Sequence, residues 1–199
     1  DREDAQQAVH TALALAVLLG LILTIGGILV SRALLTAMDT PAEVLEDAVT
    51  YMQIYFGGVL FSVVYNMAAG ILNEAGNSQR SLLYLGIASV TNIVLDLVFI
   101  AGFRMGVEGA AIATSLSNLV SALLILTQLA KTKEGYRFRP KQTKIHRPTL
   151  THILGIGVPA AVESSMYAFS NLLIQVPINN LGTDAVAAWS ATSKVDGIY

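Results

Sequence analysis

The chain has 199 residues, of which 54% are hydrophobic and only 13% are charged. This composition is too apolar for an ordinary soluble domain and indicates a membrane protein. The net charge of −2 provides no basic surface, so no nucleic-acid partner is expected. The sequence contains no cysteine, which excludes a disulfide framework and a thiolate metal site within it.

Five apolar stretches are each long enough, at about 20 residues, to span a bilayer as a helix. Strands are not expected because the apolar runs are long and do not alternate with polar residues. In a bilayer such runs must satisfy their own backbone hydrogen bonds, which predicts an all-α integral membrane protein, a polytopic helix bundle. The stretches are 9–30, 50–72, 82–103, 109–130 and 153–178, and a sixth begins near Ala185.

The loop charges predict the orientation of this bundle. Nine of the twelve Lys and Arg residues lie before the first stretch, between the second and third, or in the linker 131–147. Because positive charge accumulates on the cytoplasmic side, we expect this linker to be cytoplasmic and the acidic segment 38–48 to lie opposite. A solvated connector is the simpler role for the linker, and binding of lipid headgroups is the alternative.

Asp96 is the one charged residue in the third stretch. A carboxylate inside a bilayer is costly when ionised, so it is seldom placed there without a use. Asn92 and Ser89 lie on the same helical face as Asp96. A buried carboxylate beside an amide oxygen can hold a proton or coordinate a small cation, and oxygen ligands suit hard cations such as Na⁺. This pattern is typical of an ion-coupled carrier; the alternative is a permanently protonated structural acid.

Other polar residues lie within the apolar stretches. Asn66 lies deep in the second, and Thr114, Asn118 and Ser121 recur on one face of the fourth. A purely structural role, hydrogen bonding between helices, is the alternative to a functional role for these side chains. Tyr51 shares a helical face with Tyr55, which favours either an interfacial aromatic belt or stacking against a substrate.

Glu163 follows Pro159 by four residues in the fifth stretch. A proline inside a membrane helix frees backbone carbonyls that polar groups or cations can use. Glu163 is therefore either a second protonation site or a hydrated residue near the cytoplasmic edge.

Motifs for enzymes are missing from the sequence. It contains no HExxH, GxSxG or P-loop pattern, and an intramembrane aspartyl protease would need a second Asp facing Asp96. We expect no enzyme and no cofactor besides a coupling ion. A non-catalytic membrane assembly protein is the remaining class, and it would have no reason to keep Asn92 and Asp96 at the core.

Several longer sequence segments resemble those of a known protein family. They are YNMAAGILNEAGNSQRSLLY, TNIVLDLVFI, GVEGAAIATSLSN, GIGVPAAVESSMYAFSNLLIQ and LGTDAVAAWSATSKVDG. Taken together, they resemble the multidrug and toxic compound extrusion (MATE) family of transporters, in its DinF-like branch. Because the chain begins without Met and stops in an apolar stretch, we expect a piece of a longer protein, from helix three to the start of helix eight of a twelve-helix fold.

The resemblance implies two six-helix lobes around a central cavity, as in other carriers built from structural repeats. It places 1–130 in the first lobe, 131–152 in a cytoplasmic linker and 153–199 at the start of the second lobe. The implied activity is export of organic cations or amphipathic compounds across a prokaryotic cytoplasmic membrane by antiport against Na⁺ or H⁺.

The resemblance also implies site residues and partners. Membrane lipid and the remaining helices of the full-length protein are expected partners, besides the small-molecule substrate. The alternative is a transporter that flips lipid-linked precursors, but such a flippase would be expected to have cationic residues in its spans. The cation-coupling residues that the resemblance implies are Asp96, Asn92, Asn66 and Thr114, with Na⁺ possible at Asp96 and Asn92. It places Ser89 and Tyr51 at the substrate cavity. We also expect Asn118 and Glu163 there, although Glu163 departs from the family, in which the related position more often carries Gln.

The predicted orientation can be tested with one introduced thiol, since the sequence has no native cysteine. A cysteine at Thr143, in the basic linker, should resist an impermeant thiol reagent applied outside intact cells. A cysteine in the acidic segment 38–48 should react and serves as the positive control. Ready labelling at position 143 from outside would reverse the topology.

Overall fold

A computed structural model describes residues 2–38, 40–132, 135–139, 145–180 and Trp189. Within these residues the chain is helical, and five helices are long and apolar enough to cross a membrane. The predicted all-α polytopic membrane bundle is therefore confirmed. The sixth stretch, expected near Ala185, lies outside the described residues. The helices are α1 (Arg2–Ala37), α2 (Ala42–Glu74), α3 (Ser78–Asp96), α4 (Gly106–Lys131) and α5 (Arg147–Asn180), with a π-helical segment at Leu97–Gly102.

The helices extend beyond the apolar stretches that predicted them. Helix α1 has 36 residues and is about 54 Å long, whereas the hydrocarbon core of a bilayer is about 30 Å thick. Its two ends therefore project into the headgroup region or into water. Apolar composition predicts only the part of a helix inside the hydrocarbon. For this reason the predicted stretches are shorter than the observed helices. At one projecting end, Arg32 binds both carboxylate oxygens of Glu46, at 2.5 and 2.6 Å.

The chain divides into two compact units, Asp1–Leu150 and Thr151–Tyr199. In the first unit, α2 packs along both α1 and α4, and α3 packs mainly against α4. Helix α2 is therefore the central element of this unit. In the second unit, α5 continues through Pro159 and Pro177 to Asn180. The predicted lobe boundaries at 130 and 153 remain predictions.

The best-packed part of the first unit lies where α4 runs into the linker. Side chains from the N-terminal part of α1 and the C-terminal parts of α2 and α4 meet there. Leu72, Ile125 and Leu129 have no exposed surface. Under the predicted topology, this closed end faces the cytoplasm. The buried cluster comprises Val9, Leu13, Val64, Tyr65, Ala68, Ala69, Leu72, Ala122, Ile125 and Leu129.

Part of the linker is folded onto this closed end. The backbone N–H of Phe138 donates to the Leu129 carbonyl over 3.0 Å, and that of Arg139 donates to Nε2 of His10 over 3.0 Å. The backbone N–H of His146 donates to the Thr11 hydroxyl over 3.1 Å. The described linker residues thus tie α1 to the end of α4, which a purely solvated connector would not do.

Small residues let α2 approach its neighbours. A Cβ added at Gly58 would lie 2.8 Å from the Cα of Ser115 on α4, so only glycine fits there. The Ser115 hydroxyl donates to the backbone carbonyl of Ile54 over 3.1 Å. Helices in membranes commonly associate through such small-residue contacts and interhelical hydrogen bonds.

This contact predicts a position-specific effect of adding one methyl group. In the full-length protein, Gly58→Ala should overpack the α2–α4 interface and destabilise the fold by about 1–3 kcal/mol. The matched control is Gly57→Ala, because a Cβ at Gly57 meets nothing within 4 Å. Thermal denaturation followed by size-exclusion chromatography in detergent measures both. Equal melting temperatures for the two variants would contradict the close α2–α4 contact.

Candidate functional site

The contact between α3 and α4 contains a polar pair. The amide nitrogen of Asn92 donates to the hydroxyl of Thr114 over 3.5 Å, and both side chains are half-buried. No hydrogen bond to the amide oxygen of Asn92 is present among the described residues. This oxygen and the Thr114 hydroxyl therefore offer two neutral oxygen ligands at one place. The structure thus brings together two of the four predicted cation-coupling residues.

Asp96 lies one helical turn after Asn92, at the last residue of α3. Its Oδ1 atom is buried and finds no hydrogen-bond partner in the part of the chain that the structure describes. An unpaired buried oxygen is costly, and nearly all such groups in folded proteins have a partner. Asp96 therefore needs a proton, a cation or a donor from another part of the protein.

The helix changes from α-helical to π-helical geometry directly after Asp96. The six residues Leu97–Gly102 form a π-helical segment, closed by the Phe103 N–H donating to the Val98 carbonyl over 2.9 Å. Such π-helical turns occur frequently at functional sites. The evenly apolar sequence carries no signal for this segment, and it predicts one regular helix over 82–103.

Asp96 lies in the second half of its span. The span covers Ser78–Gly102, so Asp96 lies six residues, or about 9 Å, from its end. The predicted stretch 82–103 likewise has Asp96 in its second half, seven residues from the end. Asp96 therefore belongs to the half of the bundle away from the predicted cytoplasmic side.

Among the described residues, neither Asn66 nor Ser89 forms a hydrogen bond with Asp96, Asn92 or Thr114. The Asn66 amide donates to the Ser62 carbonyl on its own helix over 2.9 Å, and the Ser89 hydroxyl donates to the Leu85 carbonyl over 3.0 Å. Both side chains are exposed in the described structure. Their predicted roles in cation coupling and substrate binding remain predictions.

The remaining predicted residues are spread over the chain. Tyr51 lines a cavity of about 690 Å³ in the first unit. Asn118 is half-buried on α4, and its backbone carbonyl accepts a hydrogen bond from Ser121 over 2.8 Å. Glu163 is exposed on α5 in the second unit. The roles of these three residues at the substrate cavity also remain predictions.

Asp47, which was not among the predicted site residues, lines the same cavity as Tyr51. It was counted only as one acid in a segment opposite the basic linker. The spacing of Asp47, Tyr51 and Tyr55, at i, i+4 and i+8, was available as a signal because these positions share a helical face. The acid lies in the first turns of α2, which the apolar stretch 50–72 omitted.

Comparison with known proteins identifies relatives of this chain. A family model described as MatE matches residues 1–98. The chain is 33% identical to the probable multidrug resistance protein YpnP of Bacillus subtilis, over 86% of this chain and 38% of that protein. It is 26% identical to the multidrug export protein MepA of Staphylococcus aureus, over 89% of this chain and 39% of that protein.

Solved structures show the same fold. An outward-facing multidrug resistance MATE family transporter of the MOP superfamily superposes with a TM-score of 0.84 at 31% identity, covering 96% of this chain and 43% of that one. A MOP superfamily transporter from Pyrococcus furiosus, described as having a binding pocket of reversed polarity that suggests a different function, gives 0.83 at 29% identity. That match covers 98% of this chain and 44% of the transporter. The chain thus spans about two fifths of the proteins it resembles.

Proposed function

Because the chain belongs to the MATE family, whose members are transporters and not enzymes, we propose that the full-length protein exports drugs or toxic organic cations by ion-coupled antiport. The chain itself is a multi-pass membrane segment of the twelve-helix, two-lobe fold. The proposed location is the cytoplasmic membrane of a prokaryote, with the linker 131–147 on the cytoplasmic side. The names of the bacterial relatives, a multidrug resistance protein and a multidrug export protein, support this proposal.

The observation that carries the proposal is the unpaired oxygen of Asp96 next to the Asn92–Thr114 pair. Together these groups supply carboxylate, amide and hydroxyl oxygens. Hard monovalent cations prefer such ligands, and a carboxylate can instead take a proton. The oxygen atoms of Asp96, Asn92 and Thr114 are therefore suited to uptake of one Na⁺ or one H⁺. Among the described residues, no group of three His, Cys, Asp or Glu side chains could hold a metal, so this lone acid with neutral ligands is the candidate.

Coupling requires that the ion bind one conformation better than another. A ligand shifts a conformational equilibrium only by the difference between its affinities for the two states. Asp96 ends α3 at the change to π-helical geometry, so a small shift of the segment Leu97–Gly102 would alter the ligand geometry around its carboxylate. We propose that uptake of the ion at Asp96 favours the conformation that releases the drug, and that the ion leaves when the transporter turns inward.

The charge of the spans favours a cationic cargo. The five complete apolar stretches contain Asp96 and Glu163 but no Lys or Arg, whereas Lys194 and Asp196 both follow the start of the sixth. A flippase for lipid-linked precursors would need cationic side chains to hold phosphate groups. The transporter from Pyrococcus furiosus indicates that pocket polarity differs among proteins of this fold. For this reason the proposal on cargo depends on the charges of this chain and not on its fold.

Replacing Asp96 tests the proposed coupling. Asp96→Asn preserves the side-chain shape but removes the ionisable group. In full-length protein reconstituted into liposomes, the variant should lose transport driven by an imposed Na⁺ or H⁺ gradient, because it cannot exchange the coupling ion. Glu163→Gln is the matched control, since it neutralises the other acid of the spans and should reduce efflux only modestly.

Two results would count against this role of Asp96. Wild-type export by Asp96→Asn under the same gradient would make Asp96 a structural acid. Complete loss of transport in a well-folded Glu163→Gln variant, with Asp96→Asn active, would move the coupling site to α5.

A further inference from the structure

Part of the linker, residues 135–139, lies as a strap across the closed end of the first unit. Its side chains alternate between two environments. The aromatic rings of Tyr136 and Phe138 are half-buried and pack against the buried cluster. The side chains of Arg137 and Arg139 are exposed. The strap therefore has one face that belongs to the protein core and one that meets the solvent.

Hydrogen bonds hold the strap to the end of α4. The backbone N–H of Phe138 donates to the Leu129 carbonyl over 3.0 Å. The Nε atom of Arg137 donates to the Ala130 carbonyl over 2.9 Å. Carbonyls in the last turn of a helix have no partner within the helix, so these bonds also complete the end of α4.

On the other side, the strap is held to α1 by a histidine. His10 is only 6% exposed, and its ring lies 5.7 Å from that of Phe138 at an angle of 54°. Its Nε2 atom accepts the backbone N–H of Arg139 over 3.0 Å. Because a backbone N–H can only donate, Nε2 carries no proton in this contact, and the imidazole is neutral.

The groups around His10 leave it as the side chain there that responds to pH. Arg139 is the charged residue that acts on it, so a protonated ring would place a second positive charge beside the first. His146 donates its backbone N–H to Thr11 and turns its ring to the Thr149 hydroxyl, 2.9 Å away.

The other described neighbours of His10 are neutral side chains. The residues of α1 one turn to either side are Gln6, Gln7, Leu13 and Ala14. The members of the buried cluster on α4 are Ala122, Ile125 and Leu129. The hydroxyl groups at this cluster belong to Tyr65 of α2, Tyr84 of α3 and Tyr136 of the strap. Of all these side-chain types, histidine is the one that ordinarily changes its charge between about pH 5 and pH 8.

We infer that His10 is a pH-sensitive clasp that holds the strap on α1. Neutral His10 accepts the N–H of Arg139 and keeps the strap attached. Protonation at Nε2 replaces the acceptor with a second N–H, which breaks this bond and places two donors against each other. The attached state therefore prevails at higher pH and is lost as the pH falls.

Under the predicted topology the clasp responds to the pH of the cytoplasm. Release unties the start of α1 from the end of α4, so the closed end of the first unit loosens when the cytoplasm becomes acidic. This inference goes beyond the proposed export function and does not depend on it, because Asp96, Asn92 and Thr114 take no part in the clasp.

The test measures the distance between strap and α1 in purified full-length protein in lipid nanodiscs. Spin labels are attached at Arg137→Cys and Ala5→Cys, two exposed positions, in a background without other cysteines. Pulsed electron paramagnetic resonance then gives the populations of attached and released strap. The released population should rise about fivefold on acidification, the change expected from loss of one hydrogen bond. The titration covers about pH 7.5 to about pH 5, where histidines take up a proton.

Two substitutions of His10 separate the bond from its titration. His10→Gln retains an oxygen that can accept the N–H but cannot be protonated in this range, so the strap should stay attached at every pH. His10→Leu has no acceptor, so the released population should be high and independent of pH. Should His10→Gln fail to fold, His10→Leu still shows whether the pH response needs the histidine.

His146→Gln is the matched control, since it removes a second histidine of the linker whose ring does not contact the strap residues named above. This variant should respond to pH like the wild type. The clasp is overturned if the wild-type distances do not change with pH, or if His10→Gln and His10→Leu respond as the wild type does. Loss of the response in His146→Gln alone would assign the sensor to that residue and also overturn it.

Discussion

The contact between Gly58 on α2 and Ser115 on α4 determines how the first unit presents its polar groups. Successive residues of an α-helix point about 100° apart, so fixing Ser115 against α2 directs the preceding residue, Thr114, toward a different neighbour. That neighbour is α3, where Thr114 accepts a hydrogen bond from Asn92. A side chain larger than hydrogen at Gly58 would push α4 away and disturb this arrangement. The proposed ion site on one side of α4 therefore depends on close packing on the other.

The two ends of the first unit differ in packing. At the end near the linker, large apolar side chains fill the space between α1, α2 and α4, and linker residues cover it. At the other end, Arg32 and Glu46 join α1 to α2 while an apolar cavity remains open beside them. A bundle closed at one end and open at the other suits a transporter that presents its site to one side of the membrane at a time.

Hydropathy and loop charge were sufficient to predict five spanning helices, because the bilayer imposes length and backbone pairing on any spanning segment. The resemblance named both Asn92 and Thr114, and the structure joins them by a hydrogen bond, while their role in cation coupling stays a prediction. Other features depend on interactions that no local pattern encodes. The π-helical segment after Asp96 lies in an evenly apolar sequence, and the folded part of the linker depends on contacts with His10 and Thr11, over 120 residues away in the sequence. Hydropathy gives no sign of Asp47 as part of the second span, because the apolar stretch begins at residue 50 whereas helix α2 begins at Ala42.

We propose that Asp96 holds the coupling ion, and linkage between the two ligands then requires that binding of an organic cation favour release of the ion. The most direct measurement counts ions displaced from purified full-length protein by a saturating organic cation, with radioactive sodium for Na⁺ and a pH indicator in weak buffer for H⁺. We expect displacement of about one ion per protein in the wild type and none in Asp96→Asn. Equal displacement in both proteins would contradict the claim.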